Sequence, residues 1–314
     1  MSEAMMMMPR GKVGSVALVG RPNAGKSTLM NRCLEEKLAI VSDKPQTTRH
    51  RIVGILSSNQ NQMVFYDTPG LHKPQHRLNQ QMLRHTTEAL RDADVVCLLV
   101  DVMETFGSGD RWVLDLLSSL DTRLVVALNK IDRIAKPNLL PIMARYSELG
   151  DFEEIVPISA LTGDGVEILL DALWRLLPEG EVFYDPELLT THPERFFVSE
   201  RIREKILAET RDELPFASAV AIEKWEEPQE GSGGEGALRL HAVILVERPG
   251  QKKILVGKGG RMIRRIGTMA RLDLEEYLGR PVYLELYVRL QPGWRENQKL
   301  LAALEPEMVS FNDE

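Results

Sequence analysis

Cysteine is scarce in this 314-residue sequence: Cys33 and Cys97 are the only two, and both lie in apolar stretches. Two such cysteines exclude a disulfide framework and a cysteine-based zinc cluster, and they favour a reduced, cytoplasmic setting. Long apolar runs are missing as well, because the longest obvious one, 95–100, is far shorter than the roughly 18–20 residues that span a bilayer. The first residues lack the apolar core of a secretory signal, and we expect a disordered tail over 1–13.

Positive charge is in the minority, since 39 lysines and arginines stand against 46 aspartates and glutamates, and the formal net charge is −7. One stretch is different, because residues 248–271 contain eight basic residues and no acidic one. A local basic stretch in an acidic protein indicates one focused anionic partner. The histidines are scattered without metal-binding spacing. The eight basic residues are Arg248, Lys252, Lys253, Lys258, Arg261, Arg264, Arg265 and Arg271.

Short apolar runs alternate with amphipathic stretches of helical length in the first part of the chain. Most of these runs have no polar face, as in strands that are buried on both sides. Alternation of strand and helix predicts an α/β fold with a mostly parallel sheet, helices on both faces and a ligand at the carboxyl ends of the strands. The predicted strands are 15–20, 51–56, 63–67, 95–101, 124–129 and 155–158.

The alternation stops at residues 177–180, and a second unit with a different order of elements begins near Arg195. We expect a first domain over 14–180, a linker over 181–194, a second domain over 195–304 and a tail over 305–314. In the second domain the pattern predicts helices near 197–213, 261–278 and 297–304 and strands near 219–226, 238–247 and 282–290. The glycine-rich loop 227–236 is expected to be mobile.

A glycine-rich turn lies between the first predicted strand and a helix predicted over 26–34. It fits G-x-x-x-x-G-K-S, in which glycines let backbone N–H groups converge on phosphate oxygens and the helix N-terminus adds positive potential. We expect Lys26 to reach the β- and γ-phosphates and the hydroxyl of Ser27 to bind Mg²⁺. The predicted phosphate-binding residues are Gly20, Arg21, Pro22, Asn23, Ala24, Gly25, Lys26, Ser27 and Thr28.

Three later segments complete a predicted nucleotide site. Asp67-Thr68-Pro69-Gly70 is a common turn by itself, but after a phosphate-binding loop its carboxylate is expected to hold Mg²⁺ through water and its glycine N–H to bond the γ-phosphate. Asp132 is expected to accept from both N1–H and N2–H₂ of guanine, which selects guanine over adenine. A backbone N–H of the last segment is expected to meet the guanine oxygen. The predicted residues are Asp67, Thr68, Pro69, Gly70, Asn129, Lys130, Asp132, Ser159, Ala160 and Leu161.

In this order the segments resemble the G1, G3, G4 and G5 motifs of translation-factor-class GTPases. Residues 46–51 supply a G2 candidate, and the resemblance implies that one of its threonines coordinates Mg²⁺ when GTP is bound. Thr48 is favoured and Thr47 is the alternative. The predicted catalytic residues are Lys26, Thr48 and Gly70, and the predicted metal ligands are Ser27, Thr48 and, through water, Asp67.

Leu71 follows the Asp67–Gly70 segment, where Ras has glutamine. A leucine cannot orient the attacking water, so intrinsic hydrolysis is expected to be slow unless another group positions the water. Several relatives with a hydrophobic residue at this position use a potassium ion held by an asparagine of the phosphate-binding loop. The corresponding residue is Asn23, which either holds potassium or braces the segment that carries the G2 threonine.

Residues 256–267 carry the second strong signal, a G-x-x-G loop over 257–260 followed by a basic helix. Such a loop in a KH domain clamps about four nucleotides of single-stranded nucleic acid, and the helix-first element order resembles the type II KH topology. The predicted RNA-binding residues are Gly257, Lys258, Gly259, Gly260, Arg261, Arg264 and Arg265. Trp294 is expected to serve packing, with base stacking as the alternative.

The two motif sets together resemble the bacterial Era family of GTPases over residues 14–304. The resemblance implies a GTP-dependent switch that binds the 3′ end of small-subunit ribosomal RNA, assists maturation of the 30S subunit and touches the inner membrane peripherally. We further expect a monomer whose nucleic-acid partner is RNA and not DNA. Two alternatives stay open: an RNA-binding protein in which nucleotide is structural, and a GTPase that acts on another RNA, such as tRNA.

Coupling between the two sites is the expected mechanism. GTP and Mg²⁺ are expected to order residues 46–51 and 70–77, to change how the domains pack and so to change the affinity for RNA.

Overall fold

The structure is a computed structural model, and it describes residues 11–44, 46–72, 77–212, 214–228 and 236–305. The predicted N-terminal disordered tail, the predicted mobile loop and the predicted C-terminal tail fall largely outside these ranges, at residues 1–10, 229–235 and 306–314.

The described residues form two compact units. The first unit holds 11–39, 46–72 and 81–191, and the second holds 40–44, 77–80 and 192–305.

A mostly parallel sheet, as predicted, dominates the chain up to residue 180. Its strand order is β2-β3-β1-β4-β5-β6 with β7 beside β1, and only the β2–β3 and β1–β7 pairs are antiparallel. The elements are β1 (Gly11–Gly20), α1 (Lys26–Leu34), β2 (Ile52–Ser58), β3 (Asn61–Asp67), α2 (Arg77–Asp92), β4 (Val95–Asp101), α3 (Ser108–Leu117), β5 (Arg123–Asn129), α4 (Leu139–Leu149), β6 (Glu154–Ile158), α5 (Val166–Leu176) and β7 (Glu179–Gly180).

The parallel strands explain why distant motifs meet. β1, β3, β5 and β6 end at Gly20, Asp67, Asn129 and Ile158, and each predicted nucleotide motif begins at or directly after one of these ends. Because parallel strands present their carboxyl ends at the same edge of a sheet, the four segments gather there.

A three-stranded sheet covered by helices forms the second unit. Its strand order is β10-β9-β8, with β8 antiparallel and β10 parallel to β9. Ile266 is fully buried in the core, and Ile263 packs against it, as the predicted periodicity requires. The elements are α6 (Glu194–Glu209), α7 (Leu214–Ala217), β8 (Ser218–Glu226), β9 (Leu238–Val246), α8 (Pro249–Val256), α9 (Arg261–Leu278), β10 (Val282–Leu290) and α10 (Gln298–Ala303).

Membrane-spanning helices are not found in the described ranges, where no helix combines the necessary length with the necessary apolar character.

The structure differs from the sequence-based expectation at both ends of the first domain. β1 begins at Gly11, within the predicted disordered tail 1–13 and before the predicted strand start at residue 15, because its first residues pair with β7. Residues 181–191, which an aperiodic sequence marked as linker, belong to the first unit. There the side-chain oxygen of Gln62 accepts from the N–H groups of Phe183 and Tyr184 at 2.8 and 2.9 Å. Hydrogen bonds between one buried side-chain amide and backbone groups produce no hydrophobic periodicity, so the sequence shows no sign that this segment packs on the first unit.

Candidate nucleotide and nucleic-acid sites

The turn between β1 and α1 is shaped for close approach. Gly20 and Gly25 have φ of 148° and 97°. A Cβ on Gly20 would lie 2.3 Å from the carbonyl oxygen of Leu99, and one on Gly25 would lie 2.2 Å from the side-chain nitrogen of Asn129. No side chain caps α1 and its first turn has no acidic residue. The N–H groups of its first turn and the positive end of its dipole therefore point to the space in front of the helix, where an anion can bind. Such a turn can hold an anion the size of a phosphate.

Lys26 is buried inside this turn. Its Nζ donates to the carbonyl oxygens of Gly20 and Arg21 at 3.3 and 3.1 Å. Burial lowers the pKa of Lys26 to about 8, and the nearby charge of Asp67 opposes that shift. A cation held by carbonyl oxygens keeps its charge available to an anion in the turn.

Ser27 at the start of α1, Thr48 in the loop before β2 and Asp67 at the end of β3 form one hydrogen-bonded cluster, in which Thr48 and Asp67 are buried and Ser27 is partly exposed. The Ser27 hydroxyl lies 2.6 Å from Asp67 Oδ2 and 2.9 Å from the Thr48 hydroxyl, which in turn lies 3.4 Å from the same carboxylate oxygen. Of the two threonines left open by the sequence, Thr48 therefore reaches both predicted metal ligands.

The cluster has the character of a hard-cation site. Asp67 is fully buried, and its Oδ1 is without a hydrogen-bond partner among the described residues. Burial raises the pKa of Asp67 to about 6, against the charge of Lys26 and the hydrogen bonds from Ser27 and Thr48. Hydroxyl and carboxylate oxygens are the ligands that Mg²⁺ prefers. A cation at this carboxylate would relieve the cost of its burial, so these residues fit the predicted metal.

Asn129 joins the phosphate-binding turn to the segment after β6. Its side-chain nitrogen donates to the carbonyl of Ala24 at 2.7 Å, and its side-chain oxygen accepts from the N–H groups of Lys130 and Ala160 at 2.8 and 2.9 Å. The hydroxyl of Ser159 donates to Asp132 Oδ1 at 2.6 Å and so orients the predicted base-reading carboxylate.

Leu71 faces away from this cluster. Its side chain is 3% exposed and packs in the core of the first unit, while its N–H donates to the carbonyl of Gly20 at 2.9 Å. A Cβ on Gly70 would lie 2.7 Å from Pro22, so only glycine fits there. The burial of Leu71 agrees with the expectation that it does not orient water.

Gln46 and His72 make a contact that no sequence pattern predicted. His72 donates from Nδ1 to the carbonyl of Gly70 at 2.8 Å, and its Nε2 lies 3.3 Å from the side-chain nitrogen of Gln46. Since a carbonyl only accepts, Nδ1 carries the hydrogen of the bond to Gly70.

The G-x-x-G loop separates α8 from α9, and all three of its glycines have positive φ: 70° at Gly257, 59° at Gly259 and 76° at Gly260. A Cβ on Gly257 would lie 2.8 Å from the Cβ of Met262, whereas one on Gly259 or Gly260 would meet nothing within 4 Å. Gly257 is therefore required by packing. The other two leave open space against which a sugar-phosphate backbone can lie.

Basic side chains surround this open space. Lys258, Arg261 and Arg264 are exposed and, among the described residues, form no ion pair. Arg265 differs, because its Nε lies 2.9 Å from Glu209 Oε2. Three cations that form no ion pair among the described residues, placed beside the loop, favour binding of a phosphate backbone over binding of a neutral partner.

Trp294 is a packing residue. It is 1% exposed, and its indole N–H donates to the carbonyl of Ala217 at 3.1 Å. A ring so deeply buried does not offer a face for base stacking, so the expected packing role is confirmed.

Comparisons with known proteins match both parts of the chain. A family described as 50S ribosome-binding GTPase matches residues 15–130, and the KH domain family matches 213–295. The GTPase Era of Syntrophus aciditrophicus is 43% identical over 92% of this chain and 94% of its own length. The GTPase Era of Geobacter metallireducens is 43% identical over 93% and 96%.

Two solved structures are similar over nearly the whole chain. Era in complex with MgGDPNP and nucleotides 1506–1542 of 16S ribosomal RNA is 37% identical, with a TM-score of 0.90 and coverage of 94% of this chain and 98% of that one. An Aquifex aeolicus Era variant bound to GDP·AlF4⁻ is 36% identical, with a TM-score of 0.89 and coverage of 93% and 98%.

Proposed function

The chain belongs to the Era family of GTPases, and from that premise we propose that it is a GTP-hydrolysing switch that binds small-subunit ribosomal RNA near its 3′ end and assists maturation of the 30S subunit. One observation carries the proposal: a protein with the same fold over nearly the full length holds MgGDPNP and the 3′ region of 16S ribosomal RNA together. Both sites have counterparts in this chain, the cluster of Ser27, Thr48 and Asp67 and the open loop 257–260.

In the proposed nucleotide site, the turn at 20–28 and the N-terminus of α1 bind the phosphates, and Lys26 supplies the buried positive charge. Ser27, Thr48 and, through water, Asp67 hold Mg²⁺, which neutralises charge on the phosphates during transfer. The Gly70 N–H bonds the γ-phosphate. At the base, Asp132 reads guanine while Asn129 ties the base-binding segment to the phosphate-binding turn.

In the proposed RNA site, Gly259 and Gly260 receive the sugar-phosphate backbone, and Lys258, Arg261, Arg264 and Arg265 supply charge. The cytoplasm is the proposed location, which suits the two free buried thiols. Contact with the inner face of the membrane is proposed from the family resemblance alone.

Nucleotide-dependent RNA affinity is the test of the proposed function. Two segments, 46–51 and 70–77, are expected to respond to GTP. The described residues next to them in the sequence, 40–44 and 77–80, belong to the second unit. Nucleotide binding and RNA binding are therefore proposed to be coupled. We expect an oligonucleotide of the small-subunit rRNA 3′ end to bind more tightly with a GTP analogue than with GDP, and a scrambled oligonucleotide to bind weakly with both, at fixed salt.

Two other outcomes of that titration argue against parts of the proposal. Selective binding that is equal with GDP, with the analogue and without nucleotide removes the switch and leaves an RNA-binding protein with a structural nucleotide. Weak, salt-sensitive binding to both oligonucleotides removes the rRNA assignment.

The charge of Lys26 predicts a pH dependence of GDP binding in EDTA. Phosphate favours the charged lysine, so its pKa is higher in the complex than the value of about 8 in the free protein. Below pH 8 the lysine is charged in both states and affinity is flat. Above it, binding requires uptake of a proton, and affinity falls toward about tenfold per pH unit. Calorimetric titration from pH 7 to 9.5 measures this, and a Lys26→Met variant is expected to lack the slope; a flat wild-type profile contradicts the prediction.

Potassium activation through Asn23 is a further proposal. A monovalent cation beside the phosphates can stabilise charge that develops during hydrolysis. The apolar, buried side chain of Leu71 cannot contribute to this stabilisation. We expect turnover in KCl to exceed turnover in NaCl several-fold, and Asn23→Ala to abolish the difference while GDP still binds. Equal rates in the two salts assign Asn23 the bracing role instead.

A further inference from the structure

Arg32 lies outside every nucleotide motif of this chain, yet it contacts one of them. It stands in the last turn of α1, four residues beyond the phosphate-binding set. Its guanidinium donates from Nε to the carbonyl of Ala160 at 3.4 Å and from Nη2 to the carbonyl of Leu161. Within the described residues, Arg32 has no acidic partner. Its hydrogen-bonding capacity is therefore directed at the backbone of the base-binding segment.

The first of these bonds fixes the orientation of one peptide group. In a planar trans peptide the C=O and N–H groups point in opposite directions. The carbonyl of Ala160 and the N–H of Leu161 belong to the same peptide. Since Arg32 holds that carbonyl, the N–H of Leu161 is turned away from the arginine.

The other N–H groups of this segment are already used. Ala160 donates to Asn129 Oδ1 at 2.9 Å, Thr162 to the Ser159 hydroxyl at 3.2 Å and Gly163 to the Ser159 carbonyl at 2.8 Å. Among the N–H groups of 160–163, only that of Leu161 has no acceptor within the described part of the chain. It lies beside two residues that are themselves anchored, Ala160 to Asn129 and Ser159 to Asp132.

We propose that Arg32 is a positioning residue for base recognition: it holds the peptide between Ala160 and Leu161 so that the Leu161 N–H is presented to the 6-oxo group of a purine. The inference rests on the proposed function, because it assumes that guanine nucleotides bind beside Asp132. It assigns the two edges of the base to different groups. Asp132 reads the N1–H and the 2-amino group, and the peptide held by Arg32 reads the 6-oxo group.

The test measures dissociation constants of three nucleotides at pH 7 for the full chain and for Arg32→Ala. GDP carries both features, IDP lacks the 2-amino group, and 6-thio-GDP replaces the 6-oxo oxygen by sulfur, a weaker acceptor. We expect Arg32→Ala to bind GDP about 3- to 10-fold more weakly, the effect of one misplaced hydrogen bond at an exposed site. The preference for GDP over 6-thio-GDP is expected to shrink by the same factor, while the preference for GDP over IDP stays unchanged.

Two variants complete the design. Arg32→Lys retains one donor and is expected to recover part of the GDP over 6-thio-GDP preference. Arg91→Ala removes another exposed arginine, at the end of α2, and is expected to change none of the three constants.

Equal weakening of all three nucleotides by Arg32→Ala overturns the inference, because it indicates a general structural role. Unchanged GDP affinity overturns it too. Failure of the unmodified chain to bind GDP at all is a different result, which contradicts the proposed function.

Discussion

Asp132→Asn is expected to exchange guanine for xanthine as the preferred base. The carboxylate is proposed to accept from two donors of guanine, and its Oδ1 is held by the Ser159 hydroxyl at 2.6 Å. An asparagine turns an NH₂ group toward one of those donors and a neutral oxygen toward the other, so one charge-assisted bond of about 1.5–3 kcal/mol is lost and the second loses roughly half of its strength. We expect GDP affinity to fall by about 100- to 1,000-fold. Xanthine carries an oxygen where guanine carries the 2-amino group, so affinity for XDP is expected to rise.

Competition titrations with GDP, XDP and ADP measure the exchange. Asp164→Asn is the matched control, because it removes an exposed carboxylate from the loop after β6 that carries Ser159 and is expected to leave all three affinities unchanged. Ser159→Ala, which releases Asp132 from its hydroxyl partner, is expected to weaken GDP binding without changing the preference. If the Asp132→Asn variant loses affinity for GDP and gains no affinity for XDP, the carboxylate supports the loop and does not read the base.

Several of the residues that sequence reasoning identified for the proposed nucleotide site share one property: chemistry dictates their type. A buried cation near phosphates must be lysine or arginine, and a turn with φ near 97°, as at Gly25, favours glycine. Such positions leave a fixed pattern of residue types. Parallel strand order then brings Ser27 and Asp67 together although they stand 40 residues apart in sequence.

Contacts made to backbone atoms were not predictable in the same way. Gln62 holds residues 183–184 through their N–H groups, and Arg32 holds two carbonyl oxygens. Residues of almost any type could supply these backbone groups. The contacts therefore leave no characteristic residue type at positions 183–184 or 160–161. The short apolar run that forms α8 before the G-x-x-G loop fits a strand or a helix equally well, so its sequence does not decide between the two.

Gly259→Asp is expected to weaken RNA binding about 100-fold. A Cβ at this position meets nothing within 4 Å, so the side chain fits the protein but enters the space proposed for the sugar-phosphate backbone. The added negative charge also repels the RNA phosphates and so offsets the attraction that the exposed cations of Lys258 and Arg261 provide. Lost contact and repulsion of about 1.4 kcal/mol each give the expected factor. Binding of the rRNA 3′-end oligonucleotide, measured by anisotropy at fixed salt, tests this directly.

Gly279→Asp separates that effect from backbone strain. Gly279 has φ of 64° against 59° at Gly259, and a Cβ there also meets nothing within 4 Å. Both substitutions therefore place the same residue in the same left-handed conformation, at a cost of about 1–2 kcal/mol of stability. They act at opposite ends of α9, which has 18 residues and thus a length of about 27 Å. If the two variants lose RNA affinity equally, the loss reports destabilisation of the second unit; if only Gly259→Asp loses it, the loop itself binds the RNA.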